Sequence, residues 1–419
     1  MGERIISDLH IHGRFSRATS KQLDFVNLEK YARLKGINLL GTGDFTHPKW
    51  LGEIRSNLSE DGSGILKTGS GFHFMLTSEI SLMYSQDGRG RKVHLVILAP
   101  DLGVVAQINE YLGKKGRLDY DGRPIFGKLP CDMFVDDMRR ISTDIEVIAA
   151  HVWTPYFGLF GSMSGFDSVE DAFKDQSKHI HALETGLSSD PEMNWRLSKL
   201  DRYSLVSFSD LHSFWPWRLG REATIFDAKL DYKSILSAIR NKEIAETIEV
   251  DPNYGKYHFD GHRDCKVCLE PKDTVKHKGI CPVCGKKLTI GVLNRVEQLA
   301  DRPLGTKPEG AAPFRRLIPL SDMISALTGS AVSSQKVWKV YYDLIKRFGT
   351  ELDVLLDAPE EELKKVVDGP LADSIILNRH GNIRILPGYD GEYGVPVLGE
   401  MPKRSEFRPK HIQKGLSDF

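Results

Sequence analysis

The sequence predicts an α/β protein: a distorted (β/α)7–8 barrel over residues 1–250, then a small four-cysteine segment, then a mostly helical C-terminal domain. Three observations carry this reading. Short apolar runs alternate with helix-period segments through the first 240 residues, the pattern of successive βα units and a parallel sheet. Histidines and carboxylates recur at or just past the ends of those runs, where a barrel presents side chains on one rim. Four of the five cysteines fall in two Cys-x-x-Cys pairs.

Taken in order, strands are expected at Ile5–His12, Leu39–Phe45, Phe74–Leu82, Val93–Ala99, Val147–Trp153, Ala182–Gly186, Ser204–Asp210 and Glu222–Phe226. Between the first two, Leu28, Tyr31, Ala32 and Leu34 sit at helical spacing before Gly36, a C-cap candidate. Lys233–Asn241 reads as another helix. A boundary is expected near Asp251-Pro252-Asn253. Residues 251–300 are rich in Cys, Lys and Gly, and Arg302–Pro319, with four prolines, reads as a linker or clasp. Within residues 301–400, Ser321 is a candidate cap for a helix to Thr328. A second helix, from about Ser334 to Phe348, puts Val337, Trp338, Tyr341, Leu344 and Ile345 on one face. Pro359-Glu-Glu-Glu362 opens a third, and Asn382–Tyr393 looks irregular or hairpin-like. Residues 401–419 form a basic tail.

A chain of 419 residues with 40% apolar content has enough material for two or three packed domains. No apolar run reaches membrane-spanning length, and the N-terminus enters Asp8-Leu-His-Ile-His12 without an apolar leader. A cytoplasmic protein is expected. Few cysteines, paired by spacing, exclude a disulfide framework, and Cys131 is left as a reduced, packed thiol. Net charge is zero but unevenly spread: Asn253–Arg347 carries +8, Gly349–Glu400 carries −7, and Met401–Phe419 carries +3. A basic middle segment beside an acidic metal-binding domain is compatible with a nucleic-acid partner.

His10 and His12 alternate on a strand, so both imidazoles reach one site. Asp210-Leu-His212, closing the run Ser204–Ser209, repeats that geometry with a carboxylate. Asp44, His47, Glu79, His94 and His151 lie between them. Donors of these types converging on one rim suit a cluster of divalent metals. Such a cluster generates hydroxide at neutral pH and clamps a phosphate, so the chain reads as a metal-dependent phosphoesterase. Glu79, Asp210 and His212 are the candidate catalytic residues among these ligands.

The second constellation is Cys265-x-x-Cys268 and Cys281-x-x-Cys284, two knuckles twelve residues apart that can wrap one zinc ion tetrahedrally. The zinc substitutes for a core that so small a segment cannot build. Lys266, Lys272, Lys276, Lys278, Lys286 and Lys287 surround it and are candidate phosphate contacts. The aromatic loop Phe214-Trp-Pro-Trp217, after His212, and Tyr156-Phe157, after His151, follow ligand-bearing strands. Trp215, Trp217, Tyr156 and Phe157 should therefore line the rim and are candidates for substrate contact.

The ligand pattern resembles the PHP (polymerase and histidinol phosphatase) domain. That resemblance implies a distorted barrel, a trinuclear metal site and phosphoester chemistry. It places ligands at His10, His12, Glu79, His94, His151, Asp210 and His212. The second motif of the family usually reads Asp-His; here it is Asp44-Phe-Thr-His47, so either or both are candidates. A further family ligand soon after the first motif has no counterpart in Gly13–Ser20, and Glu184 is the candidate to fill the gap. The amidohydrolase pattern also begins with His-x-His, but it ends in a lone Asp rather than Asp-x-His.

A PHP barrel followed by a four-cysteine ribbon and a helical tail resembles the endonuclease Q family over essentially the whole chain. Ser16-Arg-Ala-Thr-Ser20, Gly43-Asp-Phe-Thr-His-Pro48, Pro303-Leu-Gly-Thr-Lys-Pro308 and Pro387-Gly-Tyr-Asp-Gly-Glu-Tyr-Gly394 add to the likeness. The resemblance implies incision of DNA on the 5′ side of deaminated bases (hypoxanthine, uracil) or at abasic sites. Two or three divalent ions are expected in the active site, as Zn2+, Mn2+ or Mg2+, with a structural Zn2+ in the ribbon. The terminal Gln413-Lys-Gly-Leu416-Ser-Asp-Phe419 resembles a sliding-clamp-binding box, which makes Gln413, Leu416 and Phe419 partner-binding candidates. The competing readings are a histidinol-phosphatase-like small-molecule phosphatase and a non-enzymatic DNA-binding scaffold.

Overall fold

The computed structural model describes residues 2–398. Its main sheet runs in the order Ser204–Val206, Ala182–Glu184, Glu146–Ala149, Arg89–Ala99, His73–Gln86, Leu39–Gly41, Glu3–Asp8, Ala223–Ala228, Glu246–Glu249, Phe314–Arg316. The sheet curls until Ile11, just past the strand Glu3–Asp8, bridges Leu211, and His12 N donates to Leu211 O at 3.1 Å. This is the distorted α/β barrel expected, with one correction: the sheet is mixed rather than parallel.

Two connections account for the mixed directions. His73–Gln86 and Arg89–Ala99 are antiparallel, joined by Asp87-Gly88 with φ of 52° and 72°. Positive φ at both turn positions matches the twist of a two-residue hairpin, and Asp-Gly is the pair that adopts it most cheaply. Ala223–Ala228 pairs antiparallel with both Glu3–Asp8 and Glu246–Glu249. The strands Leu39–Gly41, Glu146–Ala149 and Ser204–Val206 end earlier than expected. Their donor-bearing residues therefore sit on loops at the rim rather than within strands.

Helix Phe25–Lys35 is capped by Asp24, whose side chain accepts from Asn27 N, and ends at Gly36 with φ 99°. In the C-terminal part, helix Leu320–Thr328 starts after Pro319, so Ser321 lies inside it rather than capping it. Ser334 caps Gln335–Phe348, and Thr350 with Asp353 forms a capping box on Glu351–Leu356. Helices Glu360–Leu363 and Gly369–Arg379 and a hairpin of Arg384–Leu386 with Val395–Val397 follow.

One apolar core runs from the barrel into these helices. At the junction Lys35 is buried, its Nζ 2.8 Å from Glu351 Oε1 and 3.0 Å from Pro216 O. Tyr341 and the Leu320 amide complete the coordination of Glu351. Trp215 stacks on Trp217 at 5.2 Å, and both rings lean on Trp338 at 5.5 and 5.8 Å. No helix among the described residues is long and apolar enough to cross a membrane.

Candidate metal centre

The site is organised around Glu79. It lies mid-strand in His73–Gln86 with its side chain fully buried, and its two oxygens face different donor groups. Oε2 lies 3.6 Å from His10 Nε2 and 3.3 Å from His12 Nε2. Asp210 Oδ1 is 3.6 and 3.1 Å from those same nitrogens. On the other side, Oε1 lies 2.8 Å from His94 Nδ1 and 3.3 Å from His151 Nε2. Two groups able to hold a cation thus share one carboxylate: His10, His12, Glu79 and Asp210, and Glu79, His94 and His151. His10 Nε2 is buried without a hydrogen-bond partner, as a nitrogen reserved for a metal would be.

Asp44 and Glu184, expected as ligands, stand behind the histidines instead. Asp44 Oδ1 is 3.0 Å from His12 Nδ1, while Oδ2 accepts from Gly13 N at 2.6 Å and Ser16 Oγ at 2.8 Å. Both oxygens of Glu184 lie 3.0 Å from His10 Nδ1, and Oε2 accepts from His151 N at 2.6 Å. Each carboxylate fixes its imidazole and turns Nε2 toward the site. His47 joins neither group; its ring stacks on Phe15 at 4.8 Å. His212 stands beside them, its ring 4.6 Å from that of His12 and its Nδ1 3.0 Å from Asp210 O.

The electrostatics follow from crowding carboxylates into a buried space. Burial opposes charging His10 and His12, yet the facing carboxylates outweigh it and raise both imidazoles well above their usual range, so a metal binding there would have to displace a proton. Glu79 and Asp210 remain ionised far below the ordinary carboxylate range despite burial. Burial pushes His94 down to about 3 and His212 to about 4. The cluster is therefore a strong trap for positive charge. Asp44, His151 and Asp210 have φ of 43°, 30° and 47°. Strained backbone of this kind persists only where surrounding structure enforces it.

Thr154 Oγ1, 2.9 Å from His151 Nδ1, gave no signal in the sequence, nor did Arg123, whose Nη1 lies 3.0 Å from Glu79 Oε2. The loop that carries Arg123 has no strand or helix periodicity to mark it.

The ribbon departs from the four-cysteine expectation. His262, Cys265, Cys281 and Cys284 gather into one group, and Cys268 is not part of it. The hairpin of Asp260–His262 with Val267–Leu269 explains this. His262 pairs with Val267 and Gly261 with Cys268, so His262 shares the face of Val267, which packs with Cys281, and Cys268 takes the opposite face. The signal was present: His262-Arg-Asp-Cys265 is followed by Cys281 after fifteen intervening residues, inside the range common for zinc knuckles.

The aromatic candidates divide. Trp215 and Trp217 are half-buried and pack on Trp338 at the junction with the C-terminal helices. Phe157 stacks on His94 at 4.3 Å and so backs a ligand. Tyr156 is 45% exposed, edge-on to Tyr257 at 6.2 Å. The ribbon sits against the loop that follows His151, through Ser162 Oγ to Ile290 O at 2.9 Å and Arg295 Nε to Phe160 O at 2.9 Å. Lys276, Lys278, Lys286 and Lys287 are exposed on it, and Lys276 pairs with Asp273. Gln413, Leu416 and Phe419 lie outside the described residues.

The chain is similar to known proteins over nearly its full length. The crystal structure of the lesion-specific endonuclease PfuEndoQ from Pyrococcus furiosus superposes with a TM-score of 0.85 at 32% identity, covering 95% of this chain and 96% of that one. Endonuclease Q in complex with a 27-mer duplex substrate, an abasic lesion at its active site, gives 0.86 at 31% identity, covering 95% and 97%. Residues 319–382 match the family described as the MJ0043 C-terminal domain. The uncharacterized protein MJ0043 of Methanocaldococcus jannaschii is 34% identical over 298 residues, and the match spans 70% of this chain but only 36% of that protein. The uncharacterized protein YqxK of Bacillus subtilis is 29% identical over 414 residues, covering 94% and 99%.

Proposed function

This chain belongs to the endonuclease Q family, and from that premise we propose that it is a metal-dependent endonuclease that incises duplex DNA at a lesion. The observation that carries the reading is Glu79, shared between two donor groups in a chain that matches the family end to end. Abasic sites are the first substrate class, because an abasic lesion occupies the active site of the related complex. Uracil and hypoxanthine extend that class, since a poorly paired base leaves the stack at low cost.

His10, His12, Glu79 and Asp210 would hold one divalent ion and Glu79, His94 and His151 a second, with His212 beside Asp210 available to a third. Zn2+, Mn2+ and Mg2+ are the candidates, and the imidazole-rich set favours the softer ones. When bound, such ions lower the pKa of water and neutralise a phosphate. Asp44 and Glu184 keep the imidazoles in the correct tautomer, and buried Glu79 fixes the spacing between the two groups. His262, Cys265, Cys281 and Cys284 suit a structural Zn2+. The lysines of the ribbon would contact phosphates, with Tyr156 as the exposed aromatic at the rim. A basic tail ending in Gln413, Leu416 and Phe419 fits a sliding clamp.

The test uses labelled duplexes carrying an abasic site, uracil, hypoxanthine or no lesion, each with Zn2+, Mn2+ or Mg2+. Incision confined to the lesion strand is expected. Equal cutting of the undamaged duplex, or turnover of histidinol phosphate without DNA cleavage, overturns the reading.

A further inference from the structure

Arg123 is held at the metal centre by a loop built into the site. Gly122 packs so closely on Asp44 and Ser16 that an added Cβ would lie 2.2 Å from Asp44 Oδ2. Thr46 Oγ1 donates to Gly122 O at 3.2 Å, and Ser81 N donates to Pro124 O at 2.9 Å. Asp121 Oδ1 accepts from the amides of Arg17 and Arg123, each at 3.2 Å. The loop is thus tied to the motif carrying Asp44 and to the strand carrying Glu79. From it the Arg123 guanidinium reaches Glu79 Oε2 at 3.0 Å while keeping 25% of its side chain exposed, against none for Glu79. The guanidinium is thus partly open to solvent where the carboxylate it touches is not, as are Asp210 at 29% and His212 at 32% in the same cluster, so it is within reach of an incoming phosphate.

We propose that Arg123 binds a non-bridging oxygen of the scissile phosphate, and so is a catalytic residue rather than only the partner of Glu79. Glu79 Oε2 is also the oxygen that His10 and His12 face, so the guanidinium shares it with the donor group that would hold a divalent ion. Were a bound ion to take up that oxygen, the guanidinium would keep its place through its backbone loop and would need another anion. Its planar fork matches two phosphate oxygens, which a lysine cannot reproduce. During hydrolysis water adds its oxygen to phosphorus and gives up a proton. One P–O ester bond then breaks, and the departing oxygen takes up a proton as an alcohol. Negative charge builds on the non-bridging oxygens between these events, and a fixed cation there is worth more in the transition state than in the ground state.

The inference rests on the endonuclease reading, and its test separates the two. Wild type, Arg123→Ala and Arg123→Lys, all loaded with Mn2+, are compared by calorimetric titration with inorganic phosphate, by bound-metal stoichiometry and by melting temperature. Single-turnover cleavage of an abasic duplex is measured alongside. Arg123→Ala is expected to weaken phosphate binding at least about tenfold and to slow cleavage by about 10²–10³-fold. Metal content and melting temperature stay unchanged, added guanidinium restores part of the rate, and Arg123→Lys falls between. Wild-type phosphate affinity in Arg123→Ala overturns the proposal, as does a loss of bound metal matching the loss of rate. Failure of the wild type to cut the abasic duplex would sink the endonuclease reading while the phosphate titration still decides Arg123.

Discussion

Replacing Glu79 by Gln removes one negative charge from two places at once, and the size of the effect follows from the geometry. Its oxygens lie 3.3–3.6 Å from the His10 and His12 nitrogens and 2.8–3.3 Å from those of His94 and His151, so neither group keeps an undisturbed donor set. Two unit charges about 4 Å apart interact by about 4 kcal/mol at an effective dielectric of about 20, and a divalent ion about doubles this. Water entering the mutant site recovers part of this, leaving about 3 kcal/mol per ion, or roughly a hundredfold in affinity. Glu184→Gln is the control, because Glu184 touches His10 Nδ1 rather than an ion. It keeps one hydrogen-bond acceptor, and its loss should stay nearer the low end of about 10–100-fold. Competition with a chelator, read by mass spectrometry of bound metal, measures both. If Glu79→Gln holds both ions within threefold of wild type, or Glu184→Gln is the more damaging of the two, the bridging role is refuted.

Three further outcomes are expected. In the ribbon, Cys268→Ser should retain its zinc, whereas His262→Ala should release it; equal retention by both would exclude the His262 set. Where the barrel meets the C-terminal helices, Lys35→Met strands Glu351 in the core and should cost about 3–5 kcal/mol in denaturant unfolding. Adding Glu351→Leu should recover part of that loss. Burial raises Glu249 to about 8, against donors from Thr247, Thr185 and Ser207. A carboxyl whose pKa rises on folding stabilises most below its unfolded value near 4.5, and that stability drains away as pH climbs through about 8. Glu249→Gln should therefore gain melting temperature on wild type between pH 6 and 9, and a falling difference would show the sign to be wrong.

The donor positions were legible because metal chemistry constrains residue type and barrel geometry constrains where such residues fall. What each oxygen touches was not. Asp44 and Glu184 lie at the expected rim, yet whether a carboxylate meets an ion or an imidazole depends on distances that spacing does not encode. The βα alternation predicts parallel strands throughout, but Asp87-Gly88 turns the chain back, a local turn signal that the surrounding rhythm masks. That Trp215 and Trp217 pack on Trp338 is not legible either, because Trp338 lies more than a hundred residues away in sequence. Cys268 followed the knuckle spacing but occupies the wrong face of a hairpin whose register only the fold reveals.

The strand Phe314–Arg316 pairs in parallel with Glu246–Glu249 and so covers what would otherwise be the outer margin of the barrel sheet. Uncovered margins present unpaired amides and carbonyls that template association with other chains. Residues that belong by position to the C-terminal half thus act as a selvedge for the catalytic half. A fragment ending near residue 300 would keep every donor of the metal centre yet expose a sticky seam.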